Sequence, residues 1–171
     1  MPLLAITVLG HDRPGIIAET TGALADLGLN LEDSTMTLLR GHFAMMLITH
    51  GDADPAAVEE ALSGLTEDGT LSVSVREVPS EPTPPRMASY LLSVHGADRP
   101  RIVSSVTEVL AEVGGNITDL STRLVGDLYV LTGEVDLPTG TDETALADAL
   151  HEAALTLGVK ATLSPLDSDD L

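Results

Sequence analysis

Leu3-Leu-Ala-Ile-Thr-Val-Leu9 is a β-rich apolar run closed by Gly10, the pattern of a strand buried on both faces or nearly so. A different period follows. Ile16, Ile17, Thr20, Ala23, Leu24 and Leu27 recur at helical spacing and give one apolar face. Pro14 suits the first helical turn, where its missing N–H is no loss, and Gly28 suits the position just past the end. Residues 30–39 alternate less clearly, but Leu31, Thr35, Thr37 and Leu39 support a strand. Arg40-Gly41 fits a tight hairpin, with His42–His50 as the return strand. Pro55 opens a second helix with Val58, Ala61, Leu62 and Leu65 on its inner face. Leu71-Ser-Val-Ser-Val75 alternates cleanly and closes the set. The predicted order is βαββαβ.

The order then repeats. At a shift of 86, Val8, Gly10 and Ile16 meet Val94, Gly96 and Ile102, and Asp12-Arg13-Pro14 meets Asp98-Arg99-Pro100. Gly28, Asn30 and Asp33 meet Gly114, Asn116 and Asp119. The second copy predicts strands at 88–95, 116–124, 128–136 and 159–163, and helices at 101–113 and 143–157. Four prolines between Pro79 and Pro85 exclude a helix interior or central strand, so residues 79–87 read as a semi-extended linker. The domain reading is 1–78, the linker 79–87, 88–165, and an acidic tail 166–171 expected to fray. Each repeat is expected to be an α+β, ferredoxin-like module, an antiparallel four-stranded sheet with its helices on one face.

Composition narrows what such modules can do. The net charge is −19, with 13 acids and 4 basic residues in the first 86 positions and 14 and 4 in the rest. Scattered Lys and Arg cannot neutralise a phosphate backbone or an anionic bilayer, so neither direct nucleic-acid binding nor membrane binding is expected. The opening residues carry no signal-peptide pattern and the longest dense apolar run, Phe43–Ile48, is far too short to span a bilayer, so a cytoplasmic protein is expected. There is no cysteine, which excludes disulfides and thiolate chemistry. His11, His42, His50, His95 and His151 show no ligand spacing, and Asp167-Ser-Asp-Asp170 fits no calcium loop, so neither a metal nor another cofactor is expected. No nucleophile elbow, phosphate loop or dinucleotide fingerprint occurs, so no enzyme is expected.

Gly-His-Asp-Arg-Pro-Gly-Ile at 10–16 followed by Gly28-Leu-Asn-Leu31 resembles the ACT domain, as does Gly-Ala-Asp-Arg-Pro at 96–100 followed by Gly114-Gly-Asn-Ile117. ACT domains are small regulatory modules of βαββαβ order that commonly bind amino acids between the loop after the first strand and a neighbouring domain. Two in tandem resemble the glycine cleavage system transcriptional repressor group. The resemblance implies ligand positions at Gly10, His11, Asp12, Pro14, Gly15 and Asn30, and at Gly96, Asp98, Arg101 and Asn116. Family pockets often carry Asn where this chain has Asp12 and Asp98.

The chemistry of these residues agrees. A loop leading into a helix N-terminus offers N–H groups and a dipole to a carboxylate. Gly15 allows close backbone approach, Asp12 can accept from an ammonium group, and Asn30 can donate or accept. Arg101 replaces Gly15 in the second copy and either crowds that approach or itself pairs the carboxylate, so the first loop is expected to be the better site. Plainer readings stay open: Asp12 and Asp98 as helix caps, Asn30 and Asn116 as turn residues. The functional expectation is a non-enzymatic regulator that binds a small amino acid and relays this to a protein partner, as a homodimer. The alternative is an interaction module, or a regulatory subunit of an amino-acid-metabolic enzyme, without its own ligand.

Overall fold

The computed structural model describes residues 3–80 and 87–166, so the heart of the proline-rich linker and the tail beyond Leu166 lie outside the described residues. The chain divides into two compact units. The first runs β1 (Leu3–His11), α1 (Ile16–Asp26), β2 (Asn30–Leu39), β3 (His42–His50), α2 (Pro55–Ala61), α3 (Ser63–Thr66) and β4 (Leu71–Val78). The second runs β5 (Ala88–Ala97), α4 (Ile102–Glu112), β6 (Asn116–Val125), β7 (Leu128–Leu137), α5 (Glu143–Leu157) and β8 (Val159–Pro165). Each unit holds one four-stranded sheet, ordered β2-β3-β1-β4 and β6-β7-β5-β8, with every neighbouring pair antiparallel. Both are α+β, ferredoxin-like modules.

Alternation sets the core. Leu4, Ile6 and Val8 of β1 and Phe43, Met45 and Leu47 of β3 are buried with Ile16, Leu24, Val58, Leu62 and Leu65 of the helices. Tyr90, Leu92 and Val94 of β5 do the same with Ile102, Val106, Leu110, Leu146 and Leu150. Each such side chain contributes about 1.5–3 kcal/mol of transfer free energy. Helices cover one face only, so β1 is not buried on both faces: Thr7 and Leu9 point outward and Leu9 is 56% exposed.

The second helix of the first unit also differs from expectation. It breaks at Leu62 into α2 and the single turn α3. Ser63-Gly64 follows the break, and both residues are poorer helix formers than the alanines that keep α5 continuous. Asp54 caps α2 through the Ala56 N–H (2.8 Å), and Asp142 caps α5 through the Ala145 N–H (3.0 Å).

Candidate functional site

The segment after β1 is pinned from two sides. The His11 N–H donates to the Thr70 carbonyl and the Asp12 N–H to the Gly41 carbonyl, both at 3.0 Å. The first bond ties the loop to the start of β4, the second to the β2–β3 hairpin. Gly10 is where β4 comes closest: a Cβ there would lie 2.0 Å from the Thr70 carbonyl oxygen. In the second unit a Cβ at Gly96 would lie 2.7 Å from Val159 Cγ1 and 2.9 Å from its Cα. Both glycines are therefore required by strand packing.

Pro14 lies in the turn ahead of α1, two residues before the first helical residue Ile16 and so outside the first helical turn, because Gly15 forms the N-cap in a left-handed conformation (φ 94°). No side chain caps α1, so Asp12 is not a cap. The first acceptor bond of the helix runs from the Glu19 N–H to the Gly15 carbonyl (2.9 Å), which leaves the N–H groups of residues 16–18 without intrahelical acceptors. Glu19 also receives both guanidinium nitrogens of Arg13 at 2.8 Å. That fork holds the Glu19 carboxyl below its ordinary value and the Arg13 guanidinium above its own, in each case chiefly through their mutual hydrogen bonds.

A groove of about 500 Å³ opens beside this loop, lined by Asp12, Gly15, Ile17, Met36, Leu38 and Phe43 among others. Met36 and Leu38 pair across the strands with Met45 and Phe43, so they stand on the helix side of the sheet. The helices stop short of β2, and Ile17, Met36 and Leu38 remain 44–46% exposed. The groove thus joins an apolar floor to a carboxylate, an ion-paired guanidinium and a row of free N–H groups.

Asn30 is not part of this grouping. It opposes His50 at the start of β2, whereas the loop sits beside Leu39 and His42 at the other end. Ten strand residues, roughly 30 Å, separate them. Asn116 opposes Asp136 and stands equally far from Asp98. Asn30 instead borders a second opening of about 620 Å³ lined by Gly28, His50, Asp52 and Asp54, beside which Glu32 lies 3.0 Å from His50.

In the second loop Arg101 takes the N-cap position of α4 in the same left-handed region (φ 74°), again without a side-chain cap. Ser105 stands where the first unit has Glu19, and among the described residues Arg99 has no carboxylate partner. Its guanidinium lies instead against Gly158, the C-cap of α5, with Nε 3.6 Å from the position of a Cβ there. The repeat marks Arg13, but its fork to Glu19 escapes a reading by motif, and so does the pairing of His11 with His42. Those rings face each other across β1 and β3 with centroids 5.9 Å apart, which no spacing along the chain reveals. Among the described residues no helix is long and apolar enough to cross a membrane.

Comparison with known proteins agrees with this architecture. The chain is 31% identical over 123 residues to the glycine cleavage system transcriptional repressor of Escherichia coli, covering 70% of this chain but only 64% of that protein. A crystal structure of an unknown protein from Galdieria sulphuraria superposes with a TM-score of 0.82 at 28% identity, over 96% of this chain and 98% of that one. A second, a candidate glycine cleavage system transcriptional repressor, gives a TM-score of 0.72 at 18% identity over 96% and 97%, and bears on the fold alone. The ACT domain model matches twice, at residues 2–76 and 89–164, one match on each unit. With the repeated loop, the repeated sheet order and both matches in register, the chain belongs to the ACT domain family.

Proposed function

We propose that the chain is a non-enzymatic regulatory protein that binds a small amino acid in the groove of its first unit and relays occupancy to a protein partner. The observation that carries this reading is the uncapped start of α1 at the mouth of an apolar groove with Asp12 on its rim. A ligand carboxylate takes the free N–H groups of residues 16–18, where the helix dipole favours negative charge. Its ammonium group takes Asp12, and a small side chain rests on Ile17, Met36 and Leu38. Arg13 is engaged with Glu19, so it shapes the loop and leaves the ligand to the backbone.

Such a groove binds and does not react: beside the backbone N–H groups, its charged side chains are one exposed carboxylate and one neutralised cation. A net charge of −19 favours a protein partner over direct contact with DNA, and the reading places the chain in the cytoplasm. Similarity to a transcriptional repressor supports a regulatory role. The Arg101 side chain at the second loop supports one working groove per chain. Calorimetric titration with glycine, serine, alanine and larger amino acids tests this. Saturable binding that is lost in Asp12→Ala supports it, and no heat of binding with any of them at millimolar concentration removes it.

A further inference from the structure

The open face of the second sheet, away from its helices, carries a charge gradient that the first sheet lacks. Cross-strand register lines its side chains in rows across all four strands. One row is Arg123, Val130, His95 and Lys160. The next is made of hydroxyls alone: Ser121, Thr132, Ser93 and Thr162. The third holds Asp119, Glu134, Leu91 and Ser164. The face therefore runs from basic through neutral to acidic over two steps of the pleat. In the first unit the row matching the basic one is Thr37, Ala44, Leu9 and Ser72, with no charge at all. Two of the four basic residues in the second half of the chain, Arg123 and Lys160, fall in this single row.

We propose that this face docks on the same face of a second copy of the chain, about a two-fold axis that runs along the hydroxyl row. A half-turn about that axis carries the basic row of one copy over the acidic row of the other, and the symmetry makes each contact twice. Arg123 then faces Asp119 and Glu134 of the second copy. A half-turn about the strand direction sets basic row on basic row and is disfavoured by charge. The hydroxyl side chains at the axis are short and uncharged, so two sheets can approach to the usual spacing of about 10 Å. Leu91, 38% exposed, gains cover beside His95. Elsewhere a chain of charge −19 repels its own kind, so a graded face is the surface on which self-association escapes that repulsion.

Sedimentation velocity of the full chain over a concentration series, at low and high salt, tests the proposal. The expected result is a reversible dimer that weakens with salt. Arg123→Asp and Asp119→Arg should each weaken it by about tenfold or more, and the double exchange should restore it. The pair Arg123→Glu and Glu134→Lys gives a second reading of the same kind should either first variant misfold. A chain that stays monomeric throughout overturns the proposal. So does a dimer indifferent to the single exchanges, or one that the double exchange fails to rescue.

Discussion

Gly15 and Arg101 hold the same backbone position, the residue before α1 and before α4, and both are left-handed, with φ of 94° and 74°. Glycine adopts that region freely, whereas a side chain there costs about 1–2 kcal/mol. The fold evidently demands this geometry at both loops, since the second keeps it against the preference of arginine. Arg101→Gly should therefore stabilise the second unit by up to about 1 kcal/mol, and Gly15→Arg should destabilise the first by a similar amount. Urea unfolding monitored by hydrogen exchange in each unit checks both signs.

Gly10 and Gly96 should tolerate no side chain. Their would-be Cβ atoms meet backbone, the Thr70 carbonyl oxygen at 2.0 Å and Val159 Cα at 2.9 Å, and backbone cannot swing aside. Alanine at either position should cost about 2 kcal/mol or more. Gly22, inside α1 with nothing within 4 Å, is the control: Gly22→Ala should stabilise by about 0.5–1 kcal/mol. Thermal melts of the three variants check the contrast.

The Arg13–Glu19 fork predicts a pH dependence with a definite sign. Glu19 is held below its ordinary value in the folded chain, so its contribution to stability is present above the unfolded carboxylate value. That contribution fades as pH falls through the folded value. Carboxyl carbon chemical shifts should show Glu19 titrating low in the wild type and returning to the ordinary range in Arg13→Leu.

Tyr90 binds the sheet to the start of α5 through a 2.5 Å hydrogen bond from its hydroxyl to Glu143. Its ring is buried in the core while the hydroxyl reaches Glu143 at the edge. The accepting carboxylate, then desolvation, raise the phenol above its usual value of 10.0. The raised value stabilises the fold below the unfolded phenol value, and the effect is lost as pH rises through the folded one. Ultraviolet titration should find one late-ionising tyrosine that disappears in Tyr90→Phe, and that variant should lose about 1 kcal/mol.

Much of the fold was legible in the chain, because a buried face imposes its period on the residues that form it. β3 and β5 alternate and were found. β2 alternates poorly for a physical reason: every one of its residues is exposed, so no single face is selected. The candidate loop was legible through its repeated Asp-Arg-Pro, but its partners were not. Asn30 follows the loop in sequence yet α1 carries the chain to the opposite end of the sheet. Met36, Leu38 and Phe43 enter the groove through strand register, which pairs distant residues. The Arg13–Glu19 fork spans six positions and belongs to no motif. The rows across the second sheet likewise exist only once four strands are aligned.

In the proposed function the start of α1 and the groove beside it receive an amino acid. Backbone amide spectra of the isotopically labelled chain, titrated with individual amino acids, test it most directly. Saturable shifts are expected at the amides of residues 16–18 and at Met36 and Leu38, absent in Asp12→Ala and without counterpart at residues 102–104. Shifts confined to the opening near Gly28, His50 and Asp52, or no shifts with any amino acid at millimolar concentration, would contradict it.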